Sequence, residues 1–180
     1  MQDSGCVFGI FFRQVREAKG VSLWQAALKM AYHIRNLQRI ERGRTQPGVN
    51  LALRLLDATG IEPGTFMQEF VAAHADALPA SISPKGRVTV TYEKPREGPK
   101  SLFGPLLAQA RLAGAISQTA MAKAAGYTLS NINAVEKGRQ EPGIMTALAL
   151  VMTTGVDVRE FFTTLHTCWR EQQASARSAR

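Results

Sequence analysis

The stretch NLQRIERGRTQPG at residues 36–48 returns as NINAVEKGRQEPG at residues 131–143. No other feature restricts the possible folds so much, because the register of 95 residues (Asn36 to Asn131) holds without a gap far beyond this segment. It matches Phe8-Gly9 with Phe103-Gly104, Arg16 with Arg111, Ser22 with Ser117 and Ala27 with Ala122. It also matches Glu41 with Glu136, Gly43-Arg44 with Gly138-Arg139, Pro47-Gly48 with Pro142-Gly143 and Phe66 with Phe161. Whatever residues 8–70 fold into, residues 103–165 should fold into as well. Two copies are too few for a solenoid, so the repeat predicts two small domains on one chain.

Each copy reads as five short helices. Phe8, Phe11, Phe12 and Val15 recur at i, i+3, i+4 and i+7, which gives helix 1 one apolar face. Gly20 stops it. Ser22 caps helix 2 with Gln25 three residues on, a capping box, and Ala27 and Leu28 are expected to face the core. Leu37 and Ile40 point inward from helix 3, which Gly43 ends. After the Pro47-Gly48 turn, Leu51, Leu55 and Leu56 line helix 4, and Gly60 ends it. Pro63 suits the first turn of helix 5, which carries Phe66, Met67 and Phe70. In the second copy Asp157 and Glu160 predict a capping box for the last helix. Val158, Phe161, Phe162, Leu165 and Trp169 then form a stripe longer than one small domain needs, so that helix is expected to pack on something else too.

With 22 Lys and Arg against 14 Asp and Glu, a net charge of +8 and a pI near 10, the chain suits an anionic partner. Cys6 and Cys168 are too few and too far apart for a disulfide framework or a zinc knuckle. No apolar run approaches the ~20 residues of a membrane span. The segment MQDSGCVFGIFF lacks the basic and long apolar regions of a signal peptide, which predicts a cytoplasmic protein that does not engage a membrane. His33, His74 and His166 have no metal-ligand spacing, and neither a phosphate-cradling glycine loop nor a nucleophile elbow is present. The chain is therefore read as a non-enzyme with no metal and no cofactor.

One spacing stands out within the repeat: a Ser, an Ala five residues later, an apolar residue fifteen later, then Glu-x-Gly. It occurs as Ser22, Ala27, Leu37 and Glu41-Arg42-Gly43, and again as Ser117, Ala122, Ile132 and Glu136-Lys137-Gly138. This pattern resembles the Cro/repressor-like (XRE) family of helix-turn-helix proteins, over residues 8–70 and 103–165. The resemblance implies an all-α fold of two lambda-repressor-like five-helix domains, and the residues between them are read as a linker with a short β-strand or hairpin. Domain 1 is placed at residues 8–70, the linker at 71–102, domain 2 with its extended last helix at 103–173, and a disordered tail at 174–180. Small Ala27 and Ala122 fit a close crossing of helices 2 and 3. Gly126 suits a left-handed turn between them, whereas copy one has Ala31 there, at a cost of roughly 1–2 kcal/mol if it is left-handed.

The resemblance also implies roles for particular residues. Arg16 with Glu41, and Arg111 with Glu136, are expected as structural ion pairs between helix 1 and the end of helix 3. Helix 3 is expected in the major groove, where Arg reads guanine and Asn or Gln reads adenine. Its outward positions in copy one are Ile34, Arg35, Asn36, Gln38 and Arg39, preceded by His33 as a cap or phosphate contact. In copy two they are Leu129, Ser130, Asn131 and Asn133, preceded by Thr128. Phosphate contacts are expected from Arg42, Arg44 and Thr45, from Lys137 and Arg139, and from Gln118 at the start of helix 2 in copy two. Residues 8–70 hold nine basic and five acidic side chains and residues 103–165 five and four, so domain 1 should carry more of the electrostatic affinity.

In the linker Val88, Val90 and Tyr92 alternate with Thr89, Thr91 and Glu93, which predicts a strand over 87–93, with a hairpin to residues 80–83 as one option. The strand and the stripe of Phe161, Phe162, Leu165 and Trp169 are the candidates for contact with a second copy. The expected function is a sequence-specific DNA-binding transcriptional regulator, a repressor, acting on double-stranded DNA as a homodimer. The alternative is an antitoxin or antiactivator in which domain 2 masks a protein partner.

Overall fold

A computed structural model of the chain describes residues 6–75, 88–92 and 101–178. The first copy contains α1 (Val7–Ala18), α2 (Leu23–Lys29), α3 (Ile34–Glu41), α4 (Val49–Thr59) and α5 (Pro63–Ala73). The second contains α6 (Phe103–Ala113), α7 (Gln118–Ala125), α8 (Leu129–Glu136), α9 (Ile144–Thr154) and α10 (Val158–Ser178). Among the described residues the rest is turns, loops and two isolated β-bridges.

Local chemistry sets the helix ends. Ser22 accepts from the Gln25 backbone N–H at 3.1 Å while the Gln25 side chain accepts from the Ser22 N–H at 2.9 Å, a complete capping box. Asp157 accepts from the Glu160 N–H at 2.9 Å. Glu62 caps α5, accepting from Gly64 N–H at 2.9 Å and Thr65 N–H at 2.6 Å, with Pro63 at the first helical position. Gly60, Gly126 and Gly155 end α4, α7 and α9 in the left-handed conformation. Leu28 departs from expectation: it is 69% exposed, and the buried pair on α2 is Ala26 and Ala27. A helix of seven residues lying over α3 buries one narrow edge, and two alanines allow the close approach that a leucine would block.

One aromatic pair of the core is kept in both copies. Phe8 meets Phe66 edge-on at 5.4 Å, and their counterparts Phe103 and Phe161 meet at 5.6 Å. The two cores are not separate, because the buried apolar side chains of both copies form one continuous cluster. An antiparallel bridge pairs Gly48 with Gly143, its own counterpart in the repeat. Val49 N–H donates to Pro142 at 3.3 Å and Ile144 N–H donates to Pro47 at 2.9 Å. These two bonds exchange under the repeat register, so a local two-fold axis passes between the copies at this point. Around the same axis α4 touches α9, and α5 packs along α10 in the most extensive helix–helix contact among the described residues.

Three expectations are corrected. The linker does not form a strand over 87–93 with a hairpin partner among the described residues. Residues 80–83, 87 and 93 lie outside them, and Val88 makes a single parallel bridge to Val156. Val88, Val90 and Tyr92 pack on the chain's own core, with Tyr92 edge-on to Phe161 at 5.9 Å. Two facing apolar surfaces on one chain bury each other at less entropic cost than two chains would. The stripe that suggested a second copy is likewise occupied within the chain: Phe161, Phe162 and Leu165 are at most 1% exposed, and Trp169 is partly buried, stacked on His166. Finally, the tail expected to be disordered from 174 is helical through Ser178. Its Ala174, Ala176 and Arg177 are good helix formers, and they prolong an existing helix without the cost of a new nucleus.

Candidate nucleic-acid interface

In both copies helix 3 is held from behind by helix 1. Arg16 Nε lies 2.6 Å from Glu41 Oε1, and its Nη2 lies 3.0 Å from Oε2. Both side chains are 5% exposed, and Arg16 also donates to the Val21 carbonyl. Arg111 repeats the fork on Glu136 at 2.6 and 3.1 Å and donates to Ile116 at 2.8 Å. A buried pair of this kind sets placement more than net stability, yet removing one partner strands a charge at a cost of about 3–5 kcal/mol.

Gly9 and Gly104 make this approach possible. A Cβ on Gly9 would stand 1.8 Å from the Ile40 carbonyl oxygen, and one on Gly104 1.9 Å from that of Val135. Any side chain would push helix 1 off the last turn of helix 3. The repeated Phe-Gly pair carried this signal, since a glycine inside a helix normally costs stability and needs a packing reason.

Opposite this buried side lies the face of α3. Arg35, Asn36 and Arg39 are exposed, and Ile34 and Gln38 are partly so, while Leu37 and Ile40 are buried. His33 is the N-cap of α3: its Nδ1 accepts from the Arg35 backbone N–H at 3.3 Å. Arg42, Arg44 and Thr45 follow the helix, all exposed. On α8 Leu129 is 49% exposed, Ser130 is exposed, and Asn131 and Asn133 are partly so. Thr128 caps it by accepting from Asn131 N–H at 3.2 Å, and Lys137 and Arg139 follow, exposed. Gln118 is engaged from inside: its Nε2 donates to Glu136 Oε2 at 2.6 Å, which ties it to the ion pair.

The turn between α2 and α3 differs between copies. Gly126 adopts φ 69°, and Ala31 is also left-handed at φ 47°. The strained turn has an added tie, because Arg54 Nη2 donates to the Met30 carbonyl at 2.6 Å. Copy two has Ala149 at the matching position.

Contacts across the axis went unread in the sequence. Glu141 accepts from Asn50 twice, from its N–H at 2.8 Å and its side-chain amide at 2.9 Å. Thr163 donates to Glu62 at 2.9 Å, and His166 lies 3.0 Å from Asp57. They join residues about a hundred positions apart with no local pattern. Among the described residues no cluster of His, Cys, Asp and Glu could hold a metal ion, and no helix is long and apolar enough to cross a membrane.

A family model described as "Helix-turn-helix domain" matches residues 7–67, and one described as "Helix-turn-helix" matches residues 107–161. No curated protein and no solved structure matches the chain.

Proposed function

Because the chain belongs to the XRE-type helix-turn-helix family of DNA-binding regulators, in two tandem copies, we propose that it is a sequence-specific repressor that sets α3 and α8 in the major groove of operator DNA. The observation that carries this reading is the exposed side of α3. Arg35 and Arg39 suit guanine, Asn36 and Gln38 suit adenine, and Ile34 suits a thymine methyl. All five stand on a helix whose opposite side is fixed by a buried ion pair, so their positions are preorganised. Arg42, Arg44 and Thr45 follow as phosphate contacts, and Lys137 and Arg139 do so after α8. The surplus of basic side chains in domain 1 makes it the stronger contributor to electrostatic affinity. Repression follows if the occupied site overlaps a promoter.

Footprinting on the DNA flanking the chain's own gene, at two salt concentrations, tests this. Wild type is expected to protect a site, more strongly at low salt, and Arg35→Ala/Arg39→Ala to lose it. No protection at either salt, with the double variant still functional in cells, would overturn the reading in favour of a protein-masking module.

A further inference from the structure

We propose that one chain, and not a pair of chains, is the DNA-reading unit, and that its operator is a bipartite site with two unlike halves. This rests on the DNA-binding reading above and goes beyond it in stoichiometry and in the form of the site. Helix-turn-helix dimers match the two-fold symmetry of a palindrome with their own. Here the axis lies inside a single chain, between Gly48 and Gly143. α3 ends at Glu41 and α8 at Glu136, each seven residues before its axial glycine. The two reading helices are therefore related to each other as in a dimer, with half-sites about one helical turn (~10 bp) apart.

The contacts around the axis are built for unlike partners. Glu141 takes both donors of Asn50. The register-related pair is Gln46 and Met145, so two copies of domain 2 would set Glu141 against Met145, whose side chain has no donor to replace the Asn50 amide. Gly64 sits at a close approach of α5 and α10, where a Cβ would stand 2.4 Å from the Arg159 carbonyl oxygen and 2.1 Å from Thr163 Oγ1. Its counterpart is Arg159, so pairing domain 2 with itself places an arginine where only a glycine fits. Asp57, which meets His166, has Met152 as its counterpart, and His166 has Val71. Domain 1 paired with itself loses both the Glu141–Asn50 and the Asp57–His166 contacts. A tether further favours the internal pair, since linked partners meet at an effective concentration on the order of millimolar.

The unlike reading faces then require unlike half-sites. α3 offers two arginines beside Asn36 and Gln38, and α8 offers Ser130, Asn131 and Asn133 with no arginine. One half-site is expected to contain guanines, and the other to lean towards A·T pairs.

The experiment is selection of the full chain against a random-sequence duplex pool, followed by native mass spectrometry of the protein alone and on an enriched duplex. The expected result is a single chain when free, one chain per duplex, and a non-palindromic consensus with two elements about one helical turn (~10 bp) apart. A palindromic consensus carrying two chains would overturn this inference and leave the DNA-binding reading standing. No enrichment would overturn the DNA-binding reading, and this inference with it. Gly64→Leu, with its helical content checked by circular dichroism, forces α5 and α10 apart. It is expected to lower affinity for the bipartite duplex about 100-fold or more while binding to the guanine-containing half-site alone is retained. Undiminished affinity for the bipartite duplex would overturn the role of the internal pairing.

Discussion

At the scale of single residues, the two left-handed turns that flank the second helix of each copy place their glycine differently. The positions before α2 and α7 carry Gly20 and Ala115, and those before α3 and α8 carry Ala31 and Gly126. Both alanines are left-handed, at φ 47° and 51°. A Cβ added at Gly20 or Gly126 would meet nothing within 4 Å, so an exchange there tests backbone strain alone. Ala31→Gly and Ala115→Gly should each stabilise by about 0.5–1 kcal/mol, the strain relieved less the added entropy of the unfolded chain. Gly20→Ala and Gly126→Ala should destabilise by about 1 kcal/mol. Urea titration of the four variants checks both signs. Any stabilisation by the two alanine variants would show that these turns do not store strain. The residue at Ala31 could be read from the sequence as the turn in question. Its tie through Arg54 could not, because Arg54 lies 24 residues away and reaches a backbone carbonyl.

At the scale of elements, the caps were legible and their wider use was not. Ser22 with Gln25 lies three residues apart and is decided locally. Glu62 also caps its helix, but it accepts from Thr163 of the other copy as well. Partial burial raises the Glu62 pKa, and the N–H groups of Thr65 and Gly64 with the hydroxyls of Thr65 and Thr163 more than offset this, so the carboxyl lies below its ordinary value. A lowered pKa means that the folded state favours the ionised form. The stabilisation is fully present above the ordinary glutamate range and is lost as the pH falls towards the folded-state value. The stability difference between wild type and Glu62→Gln should therefore shrink on acidification through that range, measured by urea titration at a series of pH values. A difference independent of pH would show that the carboxylate charge does not act there. The linker follows the same division. Its alternation of apolar and polar residues was visible, but an alternating segment does not say which surface takes its apolar side. Tyr92 went to the core of domain 2, where its hydroxyl is buried without a hydrogen-bond partner among the described residues, and burial, then the charge of Glu160, pushes its pKa up.

At the scale of the whole molecule, two domains that look independent in sequence share one buried cluster. α10 belongs to the core of domain 2 through Phe161 and lies along α5 of domain 1. Neither copy keeps its full apolar contact if the other unfolds. Calorimetry should show one thermal transition with matching calorimetric and van't Hoff enthalpies. Two resolved transitions would mean that the contact between the copies adds little to stability.

The sequence by itself determined the repeat, the helices, the Ser22 and Asp157 caps and the exposed polar side of α3, because these depend on residues within one or two turns of each other or on spacing preserved between the copies. Tertiary structure alone decided that the copies pair across an axis, that α10 lies along α5 in this pairing, and that Gly64 marks their close approach. The physical reason is that an apolar stripe states only that a surface must be covered. Which surface covers it depends on shape over distances that no periodicity records, such as the absence of a single Cβ where two backbones touch.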